Sequence, residues 1–375
     1  MGTMRTLEVE LGERSYPIYV GHGVLERFGD DCRDRGIQGN IAVVTDEVVA
    51  DLYLAVLCRG LRASGYTVVE VVIPAGEEQK TLWTADRIYE RLIRAHLDRS
   101  STVVALGGGV VGDTAGFVAA TFMRGIALVQ VPTTVVAQVD SSIGGKVAVD
   151  HRLGKNLIGA FHQPRLVFID TEVLKTLPER EIRSGLVEAI KHGMIRDEGL
   201  FTFLETHIDD MVSHCAPADI VDDFILKNCA IKADVVRQDE REGGLRAILN
   251  YGHTLGHALE ALTGYTRYRH GEAVALGMMA AGRIAVQKGL MEESLLDRQN
   301  ALLRRVHIPS GVEEIADEAM LTQIQSDKKV REGKVRFVLP VRIGEVVVTD
   351  QVSREEILGG IEEMRREVGG VMRDA

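Results

Sequence analysis

Ser101-Thr-Val-Val-Ala-Leu-Gly-Gly-Gly-Val-Val-Gly-Asp113 decides how the first half of this chain is read. The run Ser101–Leu106 is short, rich in β-branched residues and nearly all apolar, and glycines follow it at once and open a helix. A run with no polar alternation suits a strand covered on both faces of a parallel sheet. Gly107, Gly109 and Gly112 satisfy G-x-G-x-x-G, a spacing that lets backbone amides approach a pyrophosphate at a helix N-terminus. A tight strand-to-helix turn uses the same glycines with no ligand, so the neighbouring residues decide. Asp46 ends an earlier strand, where a carboxylate can accept from ribose hydroxyls, and Gly76-Glu-Glu-Gln-Lys80 follows another strand with Glu77 and Lys80. The acid expected about 20 residues beyond the glycines is missing, and Arg124 lies in that region. The dinucleotide site is therefore not of the standard arrangement.

Outward from that motif, Thr6–Leu11, Tyr16–Val20, Ile41–Asp46, Thr67–Pro74, Ile126–Val131 and Leu166–Asp170 read as further strands. Helical stretches such as Glu47–Ala63 and Thr81–His96 separate them. Alternation of this kind predicts an α/β, doubly wound, Rossmann-like N-terminal domain. After Thr176-Leu-Pro178 the texture changes to amphipathic segments: Glu179–Ile195, Pro217–Gln238, Gly252–Thr263, Glu272–Gly289 and Glu293–Val306. They predict a mainly α-helical C-terminal domain, closed by strands near Val335–Leu339 and Glu345–Thr349 and a helix over Arg354–Val368. The expected division is 1–178 and 179–375, with chemistry in the cleft between.

The chain has 375 residues, 45% hydrophobic and 26% charged, and a net charge of −11. The size allows two domains, and the charge argues against nucleic acid as the main partner. Cys32, Cys58, Cys215 and Cys229 show no C-x-x-C spacing and read as reduced thiols of a cytoplasmic protein. No signal pattern and no apolar run of about 18 residues is present, so no membrane association is expected.

The second motif is Arg246-Ala-Ile-Leu-Asn-Tyr-Gly-His-Thr-Leu-Gly-His-Ala258, followed by His270-Gly-Glu272. His253 and His257 stand at i and i+4 and share one helix face. Imidazoles are common ligands of zinc-like ions, and an open catalytic site takes three protein ligands. His270 adds a third imidazole, and Glu188 is the best carboxylate candidate. On this reading both members of the pair can bind metal. A third, polar stretch runs from Pro132-Thr-Thr134 through Gln138-Val-Asp-Ser-Ser-Ile-Gly-Gly-Lys146, with Gly154-Lys-Asn156 beyond it. With Lys232, Arg246, Lys328 and Lys329 it could form a pocket for a dianionic substrate, Arg offering a fork for carboxylate or phosphate.

Taken in order, the segments GEEQK, LGGGVVGD, FMRG, PTTVVAQVDSSIGGK, GKNLIGAFHQP, TLPERE, GLVEAIKHG, DEREGGLRAILNYGHTLGHA, HGEAVALGM and SDKK resemble the 3-dehydroquinate synthase family of sugar-phosphate cyclases. The resemblance runs from about Leu7 to Ile361 and implies a dehydroquinate synthase-like fold. It implies zinc or cobalt on Glu188, His253 and His270, so that His257 becomes an acid/base or substrate contact instead of a ligand. NAD contacts would fall on Asp46, Glu77, Lys80, Gly108, Gly109, Val110 and Asp113, and on Thr133, Thr134, Asp140, Lys155 and Thr176, with Lys146 at the junction of cofactor and substrate. Substrate contacts would fall on Lys146, Asn156, Lys232, Arg246, Asn250, His257 and one lysine of Lys328-Lys329. Glu242 matches an acid/base position, and Arg124 matches an arginine reaching into a neighbouring subunit, which implies a homodimer. Two departures stand out: Val48, where relatives often carry Asn, and Val147-Ala-Val-Asp150 in place of the frequent Thr-Gly-Val-Asn.

The activity implied is conversion of 3-deoxy-arabino-heptulosonate 7-phosphate to 3-dehydroquinate and phosphate, a step of the shikimate pathway to aromatic amino acids. It proceeds by metal-assisted transient oxidation with NAD, β-elimination of phosphate, re-reduction and intramolecular aldol closure. The rival readings are another cyclase of the 2-deoxy-scyllo-inosose synthase type, a metal-dependent alcohol or glycerol dehydrogenase, and a non-catalytic nucleotide-binding protein. Arg246 with Lys232 favours a carboxylate-bearing substrate.

Overall fold

A computed structural model describes residues 4–309, 312–325 and 335–370. Strands β1 (Arg5–Val9), β2 (Tyr16–Gly21), β3 (Ile41–Asp46), β4 (Val68–Ile73), β5 (Thr102–Gly107) and β6 (Ala127–Pro132) alternate with helices α1 (Phe28–Asp34), α2 (Glu47–Val49), α3 (Ala55–Ala63), α4 (Leu82–Arg94) and α5 (Gly109–Thr121). A hairpin of β7 (Lys146–His151) and β8 (Gly154–Phe161) precedes β9 (Leu166–Asp170). Seven strands form one sheet in the order β1-β2-β9-β6-β5-β3-β4, parallel except for the β1–β2 pair.

The apolar runs of the central strands have the physical cause expected of them. Within β3, Ala42 and Val44 point into one core with Ile88, Val111 and Val118 from α4 and α5. Ile41 and Val43 point into the other, with Phe28, Leu57 and Leu61 from α1 and α3. Successive side chains leave a strand on opposite sides, so helices on both faces demand apolar residues at every position. The doubly wound α/β expectation is met.

Beyond β9 come α6 (Glu179–Arg196), α7 (Glu198–Val212), α8 (Ala218–Gln238), α9 (His253–Leu262), α10 (His270–Gln287), α11 (Glu293–Arg304) and α12 (Asp317–Gln325), then the β10 (Phe337–Arg342) and β11 (Glu345–Thr349) hairpin and α13 (Arg354–Gly370). The chain forms two compact units, Met1–Leu177 with Pro217–Arg241, and Pro178–Ala216 with Glu242–Ala375. This differs from a single break at 178/179: α8 belongs to the first unit, packing on β1 and β2. A buried helix face, with Phe224, Ile225 and Cys229 inside, reads the same in sequence whichever unit it covers. The rest of the second unit is mainly helical, as expected. Among the described residues no helix is long and apolar enough to cross a membrane.

Candidate active site

In the first unit the chain leaves β3 toward β4 on one side and toward β5 and β6 on the other. Such a reversal opens a crevice at the carboxyl ends of the two central strands, where open α/β sheets bind ligands. Asp46 ends β3 and Gly107 ends β5. Helix α5 then starts at Gly109 behind a Gly108 N-cap that offers no side-chain acceptor, so its first amides face an incoming anion. Thr133 follows β6; its amide donates to the Gly107 carbonyl at 3.0 Å, while its buried hydroxyl has no partner among the described residues. Thr134 packs its methyl beside Gly108. Asp46 already caps its helix, accepting from the Val48 and Val49 amides at 3.0 Å through Oδ1, which leaves Oδ2 as an acceptor. Val48 is exposed and contributes its amide only to this cap.

Lys80 is the hub of the next cluster. Its buried ammonium lies 2.6 Å from Asp113 Oδ2 and donates to Asn156 Oδ1 at 2.6 Å. Burial works against the ammonium, but Asp113, Glu77 and Asp150 outweigh it and raise Lys80 above the ordinary lysine value. Burial likewise raises the Asp113 carboxyl against the pull of Lys80. Lys155 donates to Glu77 at 2.9 Å, so Glu77, Lys80, Asp113, Lys155 and Asn156, which come from three separate segments of the sequence, meet in one cluster. Asn156 holds a left-handed backbone, φ 54°, with its amide on Asp150. Nearby in sequence, Asp140 pairs with Lys232 of α8, and Thr176 meets the Tyr53 hydroxyl at 2.5 Å. Lys146 begins β7 at an exposed position, and Val147, which stands where relatives often carry Thr, is a core residue of that strand together with Val149. Val110 and Gly109 form the first turn of α5. Arg124 is exposed on a turn with φ 69°.

In the second unit two glycines let three helices meet. A Cβ on Gly271 would sit 2.0 Å from the Ser184 carbonyl of α6, and one on Gly277 would sit 1.9 Å from the Gly252 carbonyl before α9. Only glycine permits that approach, and it carries Glu188, His253 and His270 into contact. Glu188 Oε1 lies 3.4 Å from His270 Nε2 and 3.7 Å from His253 Nε2. The Nδ1 atoms face outward, His253 toward the Tyr251 carbonyl at 3.0 Å and His270 toward Glu260 at 3.3 Å. A carbonyl can only accept, so His253 carries its proton on Nδ1 and aims the Nε2 lone pair inward. Imidazole nitrogens of His253, His257 and His270 all lie within 4.8 Å of one another.

Burial holds His253 well below the usual imidazole range. Burial opposes the charge on His270 too, but Glu260 and Glu188 lift it to about 10. Burial works against ionisation of Glu188, yet Lys191, His253 and His270 outweigh it and hold the carboxyl well below the usual range. Among the described residues Glu188 Oε1 is buried without a hydrogen-bond partner, an orphaned acceptor flanked by two imidazoles. Arg246 and Asn250 lie on the short helical stretch just before this cluster, Arg246 fully buried and Asn250 donating to Glu242 at 3.3 Å. Lys328 and Lys329 lie outside the described residues.

Three participants were not singled out from sequence. Lys191 is fully buried and paired with the other oxygen of Glu188, and its position one turn beyond Glu188 was the available signal. Glu260 backs His270, and Tyr251 backs His253 through its carbonyl. A main-chain contact leaves no side-chain trace.

The chain matches the N-terminal 3-dehydroquinate synthase family model over residues 70–184 and the C-terminal one over 185–330. It is 49% identical over 355 residues to a 3-dehydroquinate synthase of a Picosynechococcus species, covering 94% of this chain and 97% of that protein. It is 50% identical to the one of Symbiobacterium thermophilum, covering 96% and 100%. Among solved structures it is similar to 2-epi-5-epi-valiolone synthase from Streptomyces hygroscopicus with NAD+ and Zn2+ bound, with a TM-score of 0.87, 27% identity and coverage of 97% and 99%. A 2-deoxy-scyllo-inosose synthase complexed with carbaglucose-6-phosphate, NAD+ and Co2+ has a TM-score of 0.85, 28% identity and coverage of 96% and 99%. A glycerol dehydrogenase from Schizosaccharomyces pombe shares the fold, with a TM-score of 0.69 at 16% identity. The chain belongs to the 3-dehydroquinate synthase family.

Proposed function

We propose that this chain converts 3-deoxy-arabino-heptulosonate 7-phosphate to 3-dehydroquinate and phosphate, using NAD and a zinc or cobalt ion. One observation carries the metal reading: a buried, orphaned carboxylate oxygen of Glu188 beside the inward nitrogens of His253 and His270. Two imidazoles and a carboxylate with an open position form a catalytic rather than a structural donor set, and one accepted by zinc and cobalt alike. NAD fits the first unit through the Gly108–Gly109 amides, Asp46, the orphaned Thr133 hydroxyl and the Lys80 cluster. When bound, the ion supplies a Lewis acid for a substrate hydroxyl and the nicotinamide a reversible hydride acceptor.

The chain's own residues do the rest. Arg246 offers a planar fork for the substrate carboxylate, while Lys146, Asn156 and Lys232 supply donors for phosphate. His257 takes and returns the hydroxyl proton, and Glu242, bonded to Asn250, serves as a further acid/base group. Arg124 completes the site of a second copy in a homodimer. Its exposure, and the exposed Leu153, Leu157 and Phe161 of the β7–β8 hairpin, support that assembly. A cytoplasmic location accords with four free cysteines.

The test is incubation with the heptulosonate phosphate, NAD+ and a divalent metal, scoring phosphate and carbocyclic product. Product with no accumulated NADH is expected. Bulk NADH would indicate a dehydrogenase, and turnover of a different sugar phosphate alone another cyclase. Mixing inactive Arg124→Ala and His257→Ala chains should restore part of the activity if each site borrows Arg124, and sedimentation should show a dimer.

A further inference from the structure

We propose that Tyr251 and Gln299 are positioning residues for the metal centre, acting on it through the Tyr251 main-chain carbonyl that holds His253. The inference deepens the metal reading above and rests on it. Tyr251 has two ends with different tasks. Its carbonyl accepts from His253 Nδ1 at 3.0 Å, and its fully buried phenol donates to Gln299 Oε1 at 2.5 Å. Gln299, also fully buried, spends its amide hydrogens on the Met278 carbonyl at 3.2 Å and on Asn300 Oδ1 at 3.3 Å. Asn300 then donates to Glu363 Oε1 at 3.1 Å, and Arg283 donates to Glu363 Oε2 at 3.0 Å. The result is a hydrogen-bonded line from His253 through α11 to α13 and α10.

Four buried polar side chains in one line need an explanation, since apolar residues of the same volume would fill that space at no cost in unmatched donors. The neighbour of Tyr251 supplies one. Gly252 stands between Tyr251 and His253 in a left-handed conformation, φ 79°, and glycine brings the greatest backbone freedom of any residue. A histidine reached through such a joint needs an anchor on the far side, and the phenol of Tyr251 is that anchor. Fixing the carbonyl fixes which imidazole nitrogen carries the proton and where the other one points, the task that outer partners of metal-bound histidines perform.

The experiment uses the full chain, stripped of metal and then titrated with zinc against a chromogenic chelator and with cobalt(II) followed by its visible spectrum. Tyr251→Phe removes only the hydroxyl. Gln299→Met keeps the volume and leaves the phenol the Met278 carbonyl as acceptor. Expected are zinc binding weakened about 10–100-fold and an altered cobalt(II) spectrum in Tyr251→Phe, with a smaller change of the same sign in Gln299→Met. A lowered melting temperature of the metal-free protein with unchanged affinity and spectrum overturns the proposal, because packing alone predicts that result. Should Tyr251→Phe fail to fold, Gln299→Met is judged by the same two readouts. Wild-type protein that binds neither ion overturns the metal reading itself, and the positioning role with it; binding by wild type but no change in the variants overturns only the latter.

Discussion

Glu188 turns its two oxygens to different surroundings, Oε2 paired with buried Lys191 and Oε1, without a hydrogen-bond partner among the described residues, beside the imidazole of His270 at 3.4 Å. The carboxylate is thus restrained on one side and offered on the other. Glu188→Gln keeps the shape but removes the charge. Bound zinc, measured by elemental analysis after dialysis, should fall by more than the ~10–100-fold typical of losing an outer partner. Undiminished zinc would remove Glu188 from the ligand set.

His257 sits one turn along α9 from His253, with ring centroids 5.2 Å apart. Its replacement by alanine should lower the rate roughly 10²–10⁴-fold and leave the metal content unchanged. If the ion is lost instead, His257 is a ligand.

Lys80 is buried between Asp113 and Asn156. Lys80→Met strands Asp113, and loss of one partner of a buried pair costs about 3–5 kcal/mol. Urea unfolding measures the loss, and Lys80→Met with Asp113→Leu should recover part of it. A single variant as stable as wild type would contradict the paired arrangement.

Burial lowers the His162 imidazole below its ordinary value of 6.5, although its bond to the Ile126 carbonyl at 2.8 Å pulls the other way. A depressed histidine contributes stability above its unfolded value, and that contribution is lost as pH falls from 6.5 toward the folded value. The urea midpoint should therefore drop below pH about 6.5 more steeply for wild type than for His162→Gln. Parallel curves would assign the acid sensitivity to other groups.

Burial pushes the Cys58 and Cys229 thiols up to about 12, and Cys32 higher still, while Cys215 is exposed. Because the thiolate is the reactive form, a disulfide dye at pH about 8 should label one thiol in the native protein and all four in denaturant. Fast labelling of a second native thiol would expose an opening motion in α1, α3 or α8.

Much of the parallel sheet was legible because a strand covered on both faces leaves no polar alternation, and β3, β5, β6 and β9 announce themselves that way. The β7–β8 hairpin was not, since its glycines and lysines read equally as a binding loop. Helix α7 was passed over although Asp197 caps it and Leu200, Phe201, Leu204 and Ile208 line its buried face; Gly199, Thr202 and Thr206 dilute the pattern. At the candidate site the histidines were visible from their spacing, but spacing alone left His257 and His270 interchangeable. Partners remote in sequence add to the spacing: Glu260 stands behind His270, and Glu188 Oε1 lies 3.4 Å from His270 and 3.7 Å from His253, while nitrogens of all three histidines stay within 4.8 Å of one another.

Helix α8 returns to the first unit after a stretch devoted to the second. During synthesis, then, β1 and β2 must wait for their covering helix until about two thirds of the chain has left the ribosome. A protein cut after the last sheet strand would expose that apolar surface permanently, and its fate would be aggregation, not an autonomous nucleotide-binding fragment.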